Sequence, residues 1–130
     1  MTKEELISYW IEGSDRDFES MLHMFESKDY HWSLYVGHLV IEKLLKACYI
    51  KNINTKHPFI HNLLRLAEKS NLEINEEQRD LLDTINYFNM QAKYADYKFK
   101  FYKRCTKEFT NIWIEHIKGL REWIKKQLLK

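Results

Sequence analysis

Apolar residues recur at steps of three and four along most of the chain. Ile7, Ile11, Phe18, Met21, Leu22 and Phe25 follow those steps or their sums, which predicts a first helix closing near Lys28, Asp29 and Tyr30. From about Tyr30 to Asn52 the pattern is apolar almost all round, through Leu34, Val36, Leu39, Val40, Ile41, Leu44, Leu45 and Ala47. That predicts a central helix contacted from several sides, with Glu42, Lys43 and Lys46 as its one charged stripe. Residues 52 to 57 predict a loop, and Pro58 suits the first position of a third helix carrying Ile60, Leu63, Leu64 and Ala67. Ser70 and Asn71 close it. Asn75 with Gln78 three residues later predicts a capping box, opening a fourth helix through Leu81, Leu82, Ile85, Phe88 and Ala92. Phe109, Ile112, Trp113, Ile117, Leu120, Ile124 and Leu128 then run at near-heptad steps. They predict a last helix long enough to span the bundle and to offer a second face to a partner. The expected fold is all-α, an up-and-down bundle of four to five helices. Between the fourth and last helices, residues 93 to 104 alternate aromatic and cationic side chains, the least ordinary stretch of the chain.

Composition agrees with this pattern. At 130 residues and 45% apolar content the chain is sized for one domain, residues 1 to 130, with one hydrophobic core. Three glycines and one proline are too few to punctuate a many-stranded β protein. No internal repeat, low-complexity stretch or interdomain linker interrupts it. Cys48 and Cys105 lack metal-ligand or redox spacing and read as reduced thiols of a cytoplasmic protein. The N-terminal residues are charged and polar, with no apolar run for a signal peptide or membrane span, so a cytoplasmic location off the membrane is expected.

Charge changes the picture in one respect. Residues 1 to 92 carry 15 acidic and 10 basic side chains, whereas residues 93 to 130 carry 4 acidic and 11 basic. A chain polarised in this way can draw phosphate-bearing partners to its C-terminal part, or dock acidic to basic halves between subunits.

The motifs of several enzyme classes are missing. A di-iron bundle needs Glu three residues before His on one helix face, and no histidine here has that neighbour. His57 and His61 have the spacing of zinc ligands on one helical turn, but Pro58 biases His57 away from helical geometry and nothing completes the ligand set. Gly13, Gly37 and Gly119 stand singly within helices, so no phosphate-cradling loop is present, and no Ser, Cys or Thr is set beside a base. Neither metal nor cofactor is expected. Glu42 and Lys46, at i and i+4, read as a weak surface ion pair. The stretch from Tyr94 to Arg104 fits a single-strand binder, with bases stacking on aromatic faces and cations following the phosphates. Spacing alone favours the other reading, in which its aromatics fold into the bundle end and the lysines merely solvate it.

The order of three stretches carries a family resemblance. Residues 38 to 47 (His-Leu-Val-Ile-Glu-Lys-Leu-Leu-Lys-Ala) are similar to an "hxxxEKxLKA" helix. His61-Asn62-Leu63-Leu64 is similar to an "HxL" helix start, and Lys93-Tyr94-Ala95-Asp96 to an "RYPD" segment. With these, residues from about 30 to 97 resemble the HEPN domain, a small helical up-and-down bundle. The motif positions are Glu42, Lys43, Lys46 and His61. The resemblance implies a homodimer built on helix faces. It also implies a minimal nucleotidyltransferase as partner, often in a toxin and antitoxin pair, or a nucleotide or RNA as ligand. Some HEPN proteins are metal-independent RNases marked by Arg, four to six residues, then His. Arg16 and His23 fit that formula literally but lie in the first helix, not in the later helices where the pair is expected. At the "RYPD"-like segment Lys93 replaces Arg and Ala95 replaces Pro, and Lys lacks the planar two-pronged contact that Arg makes with phosphate. The expected function is therefore non-catalytic binding of nucleotide, RNA or a nucleotidyltransferase, with Lys93, Tyr94, Tyr97, Lys98 and Lys100 supplying charge and stacking surface. The alternatives are an RNase using Arg16 and His23, and a structural dimerisation module whose interface takes in Tyr94, Tyr97 and Phe101.

Overall fold

Thr2 and Glu5 start the first helix by satisfying each other's backbone: Glu5 N donates to Thr2 Oγ1 and Thr2 N to Glu5 Oε1, both at 3.1 Å. The structure, a computed structural model, describes residues 1–56 and 59–130, with Ala95 described through its backbone alone. Helix α1 (Lys3–Glu26) ends in a Schellman turn. Asp29 N donates to Met24 O, Lys28 N donates to Phe25 O, and Lys28 takes the left-handed conformation at φ 66°. Helix α2 (Tyr30–Asn52) follows at once, and its side chains are buried on nearly every side, from Leu34 to Ile50.

The third helix is shorter than its apolar spacing predicts. Pro58, its expected first residue, lies outside the described residues, and Phe59 and Ile60 precede the helix. Helix α3 (Leu63–Lys69) starts after Asn62, whose Oδ1 accepts from Arg65 N at 3.0 Å. Leu63 N finds its acceptor in Asn86 Oδ1 at 3.1 Å, a residue of α4 (Glu76–Lys93). A neighbouring helix thus caps this short one. The capping box at the start of α4 forms as expected, with Gln78 N donating to Asn75 Oδ1 at 2.8 Å and Asn75 N to Gln78 Oε1 at 3.0 Å.

Residues 93 to 104 do not form an irregular connection. They contain α5 (Ala95–Arg104), so the described residues form six helices where four to five were expected. The mixing of aromatic and cationic residues along the sequence hides the position that anchors this helix. Phe101 is 2% exposed and packs on Phe88, their ring centroids 5.5 Å apart, so it is core and not part of an open aromatic face. Burying a side chain of this size contributes about 1.5–3 kcal/mol. Helix α6 (Lys107–Leu128) then starts at Thr106, whose Oγ1 accepts from Phe109 N at 3.2 Å.

Helix α2 packs against α1, α3, α4, α5 and α6. It packs tightly on α6 and α1 at Gly37, where a Cβ would stand 2.5 Å from Ile117 Cδ1 and 3.1 Å from Met21 Sδ. Two buried hydroxyls tie α1 to α2, Ser14 Oγ donating to Val40 O at 2.7 Å and Ser33 Oγ to Met21 O at 2.8 Å. Asp15 holds α1 to α6 by accepting from Arg121 and Lys125 at 3.1 and 2.7 Å. Together they set the register of both long helices against α2.

Candidate functional site

The three motif stretches meet at one corner of α2. Glu42 and Lys46 are 8% and 9% exposed, so their pair is buried, which corrects the expectation of a weak surface contact. The i, i+4 spacing holds, with Nζ to Oε2 at 3.9 Å, but α1 covers the pair: Lys46 Nζ lies 4.9 Å from the ring centre of Trp10. Glu42 Oε1 also lies 3.6 Å from His61 Nδ1. Lys43 turns the other way and binds Asp17 of α1 at 2.7 Å, bracing the two helices.

His38, one turn before Glu42, is 1% exposed and neither ring nitrogen has a hydrogen-bond partner among the described residues. Burial holds its pKa down at about 4. Lys93, His61 and Lys46 push in the same direction, against the carboxylate of Glu42. Lys93 projects over the ring of Tyr35 at 5.2 Å. It joins His61, Asn89 and Tyr94 around a cleft of about 280 Å³, where Asn89 Oδ1 is buried with no hydrogen-bond partner among the described residues.

The lysine- and tyrosine-rich corner is open. Tyr94, Tyr97, Phe99 and Tyr102 are 47–66% exposed, and Lys93, Lys98, Lys100 and Lys103 are exposed among them. Of the five residues expected to bind a ligand, Lys93 and Tyr94 line the cleft beside His61. Lys98 instead lies over Trp32 at 5.2 Å, at the start of α2. Tyr97 and Lys100 stand in solvent with no side-chain hydrogen bond or ion pair to a described residue. Lys103 covers the ring of Phe99 at 4.5 Å. Cation–aromatic contacts at exposed sites contribute only about 0.5–1 kcal/mol, so these cations can leave the rings at small cost.

Residues that sequence reasoning did not single out complete this corner. His31 packs between Trp32 and Tyr102, at centroid distances of 4.9 and 5.3 Å. It lines two adjoining cavities. Burial lowers its pKa, with the charge of Lys98 adding to the effect and Asp29 opposing it. The clue in the sequence is the His31-Trp32 pair at a helix start. Its partner Tyr102 is distant along the chain.

Arg16 and His23 lie on α1, both exposed and seven positions apart, which is two helical turns. Neither side chain makes a hydrogen bond or ion pair with a described residue. Cys48 and Cys105 are buried and unpaired, and burial raises both pKa values to about 12. Among the described residues no group of three His, Cys, Asp or Glu is placed to hold a metal ion, and His57 lies outside them. No helix of the described residues is long and apolar enough to cross a membrane.

The family model of the HEPN domain matches residues 7–127, extending the resemblance from the middle of the chain to nearly all of it. Neither the curated proteins nor the solved structures yielded a match.

Proposed function

The chain belongs to the HEPN family, and from that premise we propose a non-catalytic HEPN protein, one domain over residues 1 to 130, that binds single-stranded RNA or nucleotide through α5. Membership ties it to nucleotide- or RNA-related work in general. The observation that carries the finer reading is the open face of α5 and the residues before it, where Lys93, Lys98 and Lys100 alternate with Tyr94 and Tyr97 in solvent. Stacking on exposed rings and phosphate contacts from flexible lysines together give sequence-tolerant binding of single strands. The acidic first part of the chain leaves this basic end as the place where a polyanion gains most. The proposed protein acts in the cytoplasm as a homodimer, with a minimal nucleotidyltransferase as its protein partner.

Titration of the full chain with a short single-stranded RNA at several salt concentrations tests this. Three lysine-phosphate contacts predict a slope of log K against log salt of about −2. Replacing Lys98 and Lys100 with Ala is expected to flatten that slope and weaken binding. Failure of both the RNA and free nucleotides to bind at low salt overturns the proposal.

A further inference from the structure

His31 is 9% exposed; its Nδ1 is sealed inside the fold, and its Nε2, the ring nitrogen open to a ligand, makes no hydrogen bond to a described residue. It sits where two cavities adjoin, and both share His31 and Tyr102 in their walls. The larger, about 480 Å³, is mainly apolar and is completed by Trp32, Phe99 and Lys98. The smaller, about 370 Å³, is lined by Lys28, Lys103 and Thr106. Each lies within the size range of small-molecule sites. Their chemistry differs: one offers flat aromatic faces around a buried imidazole, the other two ammonium groups beside the amino end of α6.

A ligand that satisfies both has a planar ring with nitrogen or oxygen at its edge, joined to an anionic group a few bonds away. The ring edge supplies what the imidazole lacks, because a neutral histidine offers one donor and one acceptor. A phenyl phosphate would fill the aromatic cavity but leave Nε2 unmet. Lys28, Lys98 and Lys103 outnumber Asp29, the one acid among the described residues whose charge reaches His31. From these observations we infer that the cleft between the start of α2 and α5 is a binding site for one nucleoside monophosphate unit, the base lying against His31, Trp32 and Tyr102 and the phosphate between Lys28 and Lys103. This deepens the proposed function and rests on it. The unit is either a free nucleotide or the 5′-phosphorylated end of a strand.

Calorimetric titration of the full chain with the four ribonucleoside 5′-monophosphates, their nucleosides and inorganic phosphate reads the site directly. At least one monophosphate is expected to bind tenfold or more tightly than its nucleoside or phosphate alone. Tyr102→Ala, at an exposed ring, is expected to weaken it by about tenfold through lost stacking. The pair Lys28→Ala and Lys103→Ala should erase the advantage of the monophosphate over the nucleoside. Lys69→Ala, which removes one positive charge at the end of α3, should leave it intact. Equal losses in all lysine variants, or no binding of any monophosphate, overturn the site. If RNA binds while the monophosphates do not, the pocket falls and the α5 surface stands; if neither binds, both fall. Competition between the bound monophosphate and a 5′-phosphorylated oligonucleotide, absent for its 5′-hydroxyl form, assigns the site to strand ends. Lack of competition assigns it to free nucleotide.

Discussion

The carboxylate of Glu42 lies 3.6 Å from Nδ1 of His61, bringing a residue of the central helix onto the loop before α3. Lys46 is the counter-charge of that carboxylate, and like Glu42 it is removed from water. Removing one partner of a buried pair leaves the other uncompensated, at a cost of about 3–5 kcal/mol. Glu42→Ala is therefore expected to lower the urea midpoint sharply, and adding Lys46→Met should restore much of it. A double variant no more stable than the single one would show that the charge pairing is not what the site requires.

Acid should act through His38. The unfolded chain takes up a proton there near pH 6.5, whereas the folded chain resists until about pH 4. As pH falls between these values the unfolded state binds more protons, so stability declines, by roughly 3 kcal/mol in full. Denaturant midpoints measured across that range should fall in the natural protein and fall less in His38→Gln.

Two glycines predict opposite outcomes. At Gly37 any larger side chain meets Ile117 and Met21 in the packed interior, so Gly37→Val should destabilise by about 1–3 kcal/mol or more. At Gly119, exposed on α6, an added Cβ meets nothing within 4 Å, so Gly119→Ala should stabilise by roughly 1 kcal/mol through helix propensity. Thermal unfolding of both variants checks the contrast.

RNA incubated with the protein without added metal is expected to stay intact, and His23→Ala to change nothing. Cleavage that disappears in His23→Ala would instead make Arg16 and His23 a working pair. Gel analysis of labelled RNA decides it.

The buried thiols should resist alkylation. With pKa values raised to about 12, Cys48 and Cys105 hold almost no thiolate at neutral pH, and only the thiolate reacts. Mass spectrometry after iodoacetamide treatment is expected to show both unmodified until denaturant is added.

The sequence made the central place of α2 legible because its apolar residues run all round, and Asn75 with Gln78 marked the start of α4 by a pattern local enough to read directly. Thr2 and Glu5 form the same kind of local pair, although it was not read as a helix start. Helix α5 was harder: its alternation suggests no single face, and Phe101 becomes an anchor only once Phe88 is beside it. The motif residues were visible in order, but their convergence was not. Glu42 and Lys46 have a spacing typical of exposed helix faces, and only the packing of Trp10 over Lys46 reveals otherwise. His31 and Tyr102 are too far apart in the chain for any local pattern to join them.

Asn86 belongs to none of the recognisable motif stretches, yet its carboxamide receives Leu63 N two residues after His61. The position of an imidazole facing Glu42 is thus delegated to an amide on another helix. Relatives of this chain that keep the histidine but lose that amide would have to secure the segment by other means, and their histidine need not answer to the same carboxylate.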